Sequence, residues 1–203
     1  MPAERLVLTF AGRQHGMITS AQLAEAGWGR HAVAHRVRIG WLRRKHRGVY
    51  LVGPLETPLT AAMAAVLAAG DGALLGHYPA AVLWGLRPPR TDPMHVTVLA
   101  RDVRSAEFQV HRVAGLHPGD ATRRHGIPVT SPARTLLDLA TTLSHNDLDR
   151  AVNEAQVHHL VSDRSLSEQF SRYPRHRGTR ALKEAIRIDP ALTRSEAERR
   201  ALR

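Results

Sequence analysis

The chain has no cysteine in its 203 residues. That absence excludes disulfides, cysteine-ligated zinc and thiol catalysis, and it fits a reducing compartment. No apolar run is long enough to span a bilayer; the longest, around Ala61 to Ala69, is short and alanine-rich. Met1-Pro2-Ala3-Glu4-Arg5 is not followed by the apolar stretch and cleavage site of a secretory leader. The expectation is a soluble, cytoplasmic protein. There is no glycine-rich phosphate loop, no G-x-S-x-G elbow and no defensible Ser/His/Asp set, so no enzyme activity is expected. Fixed-period repeats and low-complexity tracts are missing too.

Acidic residues are scarce, and unevenly so. Lysine and arginine number 29 against 18 aspartates and glutamates, a formal charge of +11. Residues 1–53 hold nine basic side chains against Glu4 and Glu25 alone. A basic module on a nearly balanced body points to a polyanionic partner. The basic residues do not lie on a long amphipathic helix with a bulky apolar face, so nucleic acid is favoured over a membrane surface.

The stretch from Met17 to Gly53 reads as short helix, tight turn, second helix and β-hairpin, the order of a winged helix-turn-helix. Thr19 and Gln22 form a capping box at the first helix. Gly27-Trp28-Gly29 supplies the corner. The second helix is expected over Arg30 to Ile39, with Gly40 as its stop. At about 100° per residue, Val33 and Val37 point to one side. His31, Ala34, His35 and Arg38 point to the other, which suits a helix with its back on a core and its front in a major groove. The hairpin follows, with a turn expected near Lys45-His46 and the return strand from Gly48 to Val52. Its tip holds Arg43, Arg44, Lys45, His46 and Arg47, placed to meet phosphates. The candidate DNA-binding residues are Thr19, Ser20, Arg30, His31, His35, Arg38, Arg43, Arg44, Lys45 and Arg47.

Ala3 to Arg13 is expected to be a helix packed beneath the motif. Pro54 to Pro58 is read as a linker and the domain boundary. Beyond it, helices are expected over Leu59–Ala69 and up to Trp84, then strands over His95–Leu99, Phe108–Val113 and Gly126–Thr130. Ser131 and Pro132 open a helix as N-cap and first residue. Further helices are expected over 146–157, 163–170, 179–188 and from Thr193 onward. The fold class is α+β: a winged helix-turn-helix (1–53), an α+β domain with a small sheet flanked by helices (59–160) and a helical C-terminal extension (161–203).

Thirteen histidines raise the question of a metal. His31 and His35 have workable i, i+4 spacing on a helix but no third ligand at a matching spacing. His158 and His159 are helix neighbours and do not share a face. No metal and no cofactor are therefore expected. Arg134 and Asp138 are spaced for an intrahelical ion pair at the sheet–helix junction, with a partner-contact surface as the other reading. Thr193 and Glu196 make a second capping box.

Three segments resemble AbiEi-type antitoxins: Gly40-Trp41-Leu42 through Arg47-Gly48-Val49-Tyr50; Gly76-His77-Tyr78-Pro79-Ala80-Ala81-Val82-Leu83-Trp84-Gly85-Leu86; and Gly126-Ile127-Pro128-Val129-Thr130-Ser131-Pro132-Ala133-Arg134-Thr135-Leu136-Leu137-Asp138-Leu139-Ala140. Gly76 stands where the family pattern has serine. The resemblance implies a transcriptional autorepressor and antitoxin of a type IV toxin–antitoxin system. Its partners would be double-stranded DNA and, functionally, a nucleotidyltransferase-like toxin opposed without a stable complex. The run Thr193 to Leu202 resembles the opening helix of a Vsr-like, restriction-endonuclease-fold domain. That resemblance carries a rival reading, the DNA-targeting part of a nuclease, but Glu196 and Glu198 alone cannot form its Mg²⁺ site. A winged helix that docks protein instead of DNA is the third possibility.

Overall fold

The computed structural model describes residues 3–100 and 102–187; the expectations on Thr193, Glu196 and Glu198 fall outside the described residues. The N-terminal unit contains α1 (Ala3–Arg13), β1 (Met17–Thr19), α2 (Ser20–Glu25), α3 (Arg30–Arg38), β2 (Leu42–His46) and β3 (Val49–Val52). The winged-helix order is as expected. Thr19 caps α2 through a reciprocal pair: Gln22 N donates to Thr19 Oγ1 at 3.2 Å and Thr19 N donates to Gln22 Oε1 at 3.0 Å. Such a cap contributes about 1 kcal/mol. Gly40 ends α3 at φ +76°, a left-handed conformation that glycine adopts without strain.

Two features differ from expectation. Met17–Thr19 is a strand, pairing antiparallel with β3 to give a three-stranded sheet of order β1-β3-β2. Three residues are too few to show an alternating pattern, so nothing local announced it. The hairpin turn sits at Arg47-Gly48, not Lys45-His46. A register shift between Arg44 and His46 takes up the extra residue, and Gly48 at φ +72° makes the turn.

Strand β3 is covered on both faces. Tyr50 packs with Val7, Ile18, Leu23, Trp28 and Leu42 under the helices of the motif. Val49 and Leu51, on the other face, join Met17 in the main core of the body. Pro54 to Pro58 therefore connects two units that share buried side chains. Thr60 Oγ1 donates to the His15 carbonyl at 3.1 Å, and His15 Nε2 lies 2.7 Å from the His125 carbonyl, adding polar ties across the seam.

The body adds α4 (Thr60–Ala69), β4 (Leu74–Leu75), α5 (His77–Trp84), β5 (Met94–Leu99), β6 (Phe108–Val113), β7 (Ala121–Arg124), β8 (Ile127–Thr130), α6 (Pro132–Leu139), α7 (His145–Val157), α8 (Asp163–Arg172) and α9 (Thr179–Arg187). Its five strands run β6-β5-β4-β8-β7. The β5–β6 and β4–β8 pairs are parallel; β4–β5 and β7–β8 are antiparallel. Strands β4 and β7 were not expected: one has two residues, and the other reads Ala-Thr-Arg-Arg with no apolar face. Ser131 caps α6 with Pro132 at its first turn, as read from the sequence.

Candidate nucleic-acid interface and buried polar centre

Helix α3 has no fully buried residue. Val33 and Val37 lean on the N-terminal core, while Arg30, His31, Ala34, His35 and Arg38 are exposed along one face. The helix is fixed from behind. Arg36 stacks on the Trp28 ring at 3.7 Å and reaches Glu4 at 3.5 Å, and Trp28 meets Trp41 with ring centroids 5.2 Å apart. A rigid helix thus presents two imidazoles and Arg38, whose Nη2 lies 3.0 Å from His35 Nδ1.

The basic wing is divided. Arg43 Nη2 donates to the Pro54 carbonyl at 2.7 Å and pairs with Glu56 at 3.1 Å. Lys45 Nζ donates to the same Glu56 at 2.6 Å. This hydrogen bond from Lys45 holds the Glu56 carboxyl below its ordinary range. His46 is turned toward Glu107 and packs edge-on against Phe108. Arg44 and Arg47 are exposed and have no carboxylate partner among the described residues; Arg44 sits 5.8 Å from the Tyr50 ring. At the head of α2, Thr19 uses its hydroxyl as the cap, and Ser20 Oγ donates to the Gly48 carbonyl at 3.2 Å, which ties helix to wing. The surface brought together is therefore Arg30, His31, His35 and Arg38 on the helix with Arg44 and Arg47 on the wing. Arg43 and Lys45 are engaged beside it, and Thr19 and Ser20 brace it.

The body carries its charge inside. Arg134 and Asp138 are 2% and 3% exposed, with Arg134 Nε donating to Asp138 Oδ1 at 2.9 Å. The intrahelical pair is present, but it belongs to a larger network. Asp120, fully buried, lies 3.6 Å from Arg134 and 3.8 Å from Arg172, and it accepts from the Tyr173 hydroxyl. The His117 amide donates to Tyr173 Oη at 3.0 Å, and His176 approaches Asp138 at 3.6 Å. Burial, with Asp120 nearby and against the opposing pull of Arg134, raises the Asp138 carboxyl to about 6.

Beside this network three imidazoles meet: His77 at the start of α5, His95 on β5 and His111 on β6. The His77 and His111 rings stack with centroids 3.6 Å apart, and His95 and His111 lie 5.0 Å apart. Burial, aided by the neighbouring histidines and Arg134, holds His77 down to about 3. Burial and His95 hold His111 down to about 4, and burial lowers His95 as well. The sequence directed attention to His31 and His35 instead. The missed signal was the alternation in H-V-T-V-L and F-Q-V-H-R-V, which puts His95, Thr97 and His111 on one sheet face once β5 and β6 pair in register.

Among the described residues no helix is long and apolar enough to cross a membrane. A comparison with curated proteins gave no match. The crystal structure of the RV2827C protein from Mycobacterium tuberculosis is similar, with a TM-score of 0.54 at 21% identity over 93% of this chain and 78% of that one. At that identity the likeness speaks for the fold alone. Residues 5–53, the whole helix-turn-helix and wing, match the family model described as a transcriptional regulator, AbiEi antitoxin, the family that the sequence resembles.

Proposed function

We propose that this chain is a DNA-binding autorepressor of the antitoxin kind, with residues 1–53 reading the operator and the body (59–160, with the helical extension from 161) serving the antitoxin role in a type IV toxin–antitoxin system. The observation that carries the DNA reading is the exposed face of α3. A helix anchored through Arg36 on Trp28 offers Arg30, His31, His35 and Arg38 outward, beside the wing's Arg44 and Arg47, which have no carboxylate partner among the described residues. A protein-docking helix would be expected to present apolar anchors on that face. Here the face itself carries only the small Ala34, and the exposed large apolar residue is Ile39, the cap beyond the helix end. The toxin link is supported only by the word antitoxin in the description of the family matched over residues 5–53; on this reading the toxin is opposed without a stable complex.

The roles divide by rigidity. Arg38, on the helix, is suited to a bidentate bond with guanine, worth about 1–3 kcal/mol of discrimination. Arg47, on the wing turn, is suited to a phosphate, worth about 0.9 in the slope of log K against log salt. Titrating Arg38→Ala and Arg47→Ala on a selected operator and on random duplex, at several salt concentrations, tests this division. The first variant should flatten sequence preference; the second should weaken both duplexes alike and reduce the salt slope. Unchanged binding of both variants to both duplexes would leave the docking-module reading as the better one.

A further inference from the structure

We propose that His77, His95 and His111 form a binding site for one divalent transition-metal ion of the zinc class. Each offers one ring nitrogen, and these atoms lie within 4.8 Å of one another. A tetrahedral ion with Zn–N bonds of about 2.0–2.1 Å sets its ligand nitrogens ~3.4 Å apart. Binding would swing the His77 ring out of its stack on His111, where the centroids stand 3.6 Å apart, so that both lone pairs meet at the ion. His95 Nδ1 and His111 Nε2 already stand 3.0 Å apart.

The cluster does not satisfy itself. His77, 9% exposed, keeps its Nδ1 buried without a hydrogen-bond partner. Thr97 shares the sheet face of His95 and His111, and its buried Oγ1 is unpartnered as well. Two orphaned polar atoms in one buried place cost a few kcal/mol unless something binds them. A metal ion with a water in its fourth position would engage His77 directly and give the Thr97 hydroxyl a partner.

The backbone is also arranged around this point. His77 adopts φ +52°, a left-handed conformation that a non-glycine residue holds only when its surroundings impose it. The preceding Gly76 lies so close to Thr97 Oγ1 that a Cβ there would collide with it. The lack of a side chain at this position lets the strand approach the start of α5, next to His77. Arg134, whose charge reaches His77, is matched by the buried carboxylates of Asp120 and Asp138, so an incoming cation does not meet a bare guanidinium.

The ligand type selects the ion. Three neutral nitrogen donors without carboxylate suit Zn²⁺, Co²⁺, Ni²⁺ or Cu²⁺ and do not suit Mg²⁺ or Ca²⁺. Three protein ligands also leave one position open, unlike the closed four-ligand sites that serve structure alone. This site is independent of the DNA-binding face.

The test uses the full chain, stripped with chelator and then given Co²⁺ or Zn²⁺ alone. The wild type should retain one Co²⁺ through gel filtration and show the visible bands of a tetrahedral ion. His95→Gln and His111→Gln should each lose at least about tenfold in affinity, with an unchanged circular dichroism spectrum. The double variants His31→Gln/His35→Gln and His158→Gln/His159→Gln should bind as the wild type does. Should the first two variants fail to fold, X-ray absorption of the zinc-loaded wild type decides: three imidazole scatterers sustain the site. A wild type that retains no ion, undiminished binding in His95→Gln and His111→Gln, or fewer than three imidazoles at the zinc would each overturn it.

Discussion

The two parts of the chain handle charge in opposite ways. The N-terminal unit holds its cations on the surface: Arg30, Arg38, Arg44 and Arg47 lie in water beside an apolar core that has no buried ion pair among the described residues. The body buries Arg134 with Asp120 and Asp138, and stacks three histidines between sheet and helix. Surface charge adds little to stability and remains available for a partner. Buried charge is bound to the fold and fails with it. A substitution of the same kind, arginine to alanine, should therefore do different things in the two places. Arg134→Ala leaves buried Asp138 without its arginine and Asp120 with Arg172 alone, and should cost about 3–5 kcal/mol, read as a fall in the urea midpoint. Arg38→Ala should change stability by less than about 0.5 kcal/mol, leaving the midpoint nearly unmoved, while altering DNA preference. Equal midpoints for the two variants would break the comparison.

The next test asks whether the two parts are mechanically separate. Strand β3 belongs to both cores, with Tyr50 facing one and Leu51 the other. Leu51 is fully buried, so Leu51→Ala should cost about 2–5 kcal/mol. Because the residue sits at the seam, signals from Trp28 in one unit and Trp84 in the other should shift together in one transition. Two separated transitions, with only one moved, would favour a freely hinged winged helix.

The contrast also explains what the sequence disclosed. The winged helix is built from local signals: a capping box at Thr19 and Gln22, glycines at the corners, and a 3.6-residue stripe that put His31, His35 and Arg38 on one exposed face. The turn was misplaced by two residues because a bulge leaves no mark in composition. The polar centre of the body is non-local. Asp120, Arg134 and the Tyr173–His176 turn come from three separate segments, and His77, His95 and His111 meet only after β5 and β6 pair in parallel and α5 folds back. Only the Arg134–Asp138 pair, four residues apart on one helix, was visible beforehand, and its partners were not.

Acidification should act on the body through these groups. His77 and His111, ordinarily near 6.5, are held by burial to about 3 and about 4. Below pH 6.5 the unfolded chain takes up protons that the folded chain refuses, so their contribution to stability is lost as pH falls. The slope reaches about 1.4 kcal/mol per pH unit for each imidazole while it titrates in one state only, and less for the half-buried His111. His95 and His176 shift in the same direction. Asp138 acts oppositely, because burial raises it from 3.8 to about 6 and the folded state gains a proton first. The imidazoles outnumber it. The metal-free chain should thus lose stability between pH 7 and pH 5, measured by denaturant titration, and a rise over that interval would show the buried imidazoles to be misassigned.

The smallest expected effect lies where surface charge is already partly engaged. Arg43 and Lys45 read from the sequence as phosphate clamps, yet both are drawn to Glu56 in the segment that leads into the body. Glu56 is exposed, so the pairing contributes little to folding. Its consequence is electrostatic: a carboxylate held beside the wing competes with DNA phosphate for the same two cations. Glu56→Gln removes that competitor without changing the shape of the side chain. The variant should bind duplex DNA more tightly than the wild type at low salt. Its log K against log salt should steepen by about 0.9 for each cation that gains a phosphate. Lys45→Ala in the wild type should change the slope less than Arg47→Ala does, because Lys45 begins paired and Arg47 does not. In the Glu56→Gln background the two alanine substitutions should converge. If Lys45→Ala already matches Arg47→Ala with Glu56 in place, the Glu56 pairing gives way on binding at no measurable cost, and the four wing cations act as one unpartitioned patch.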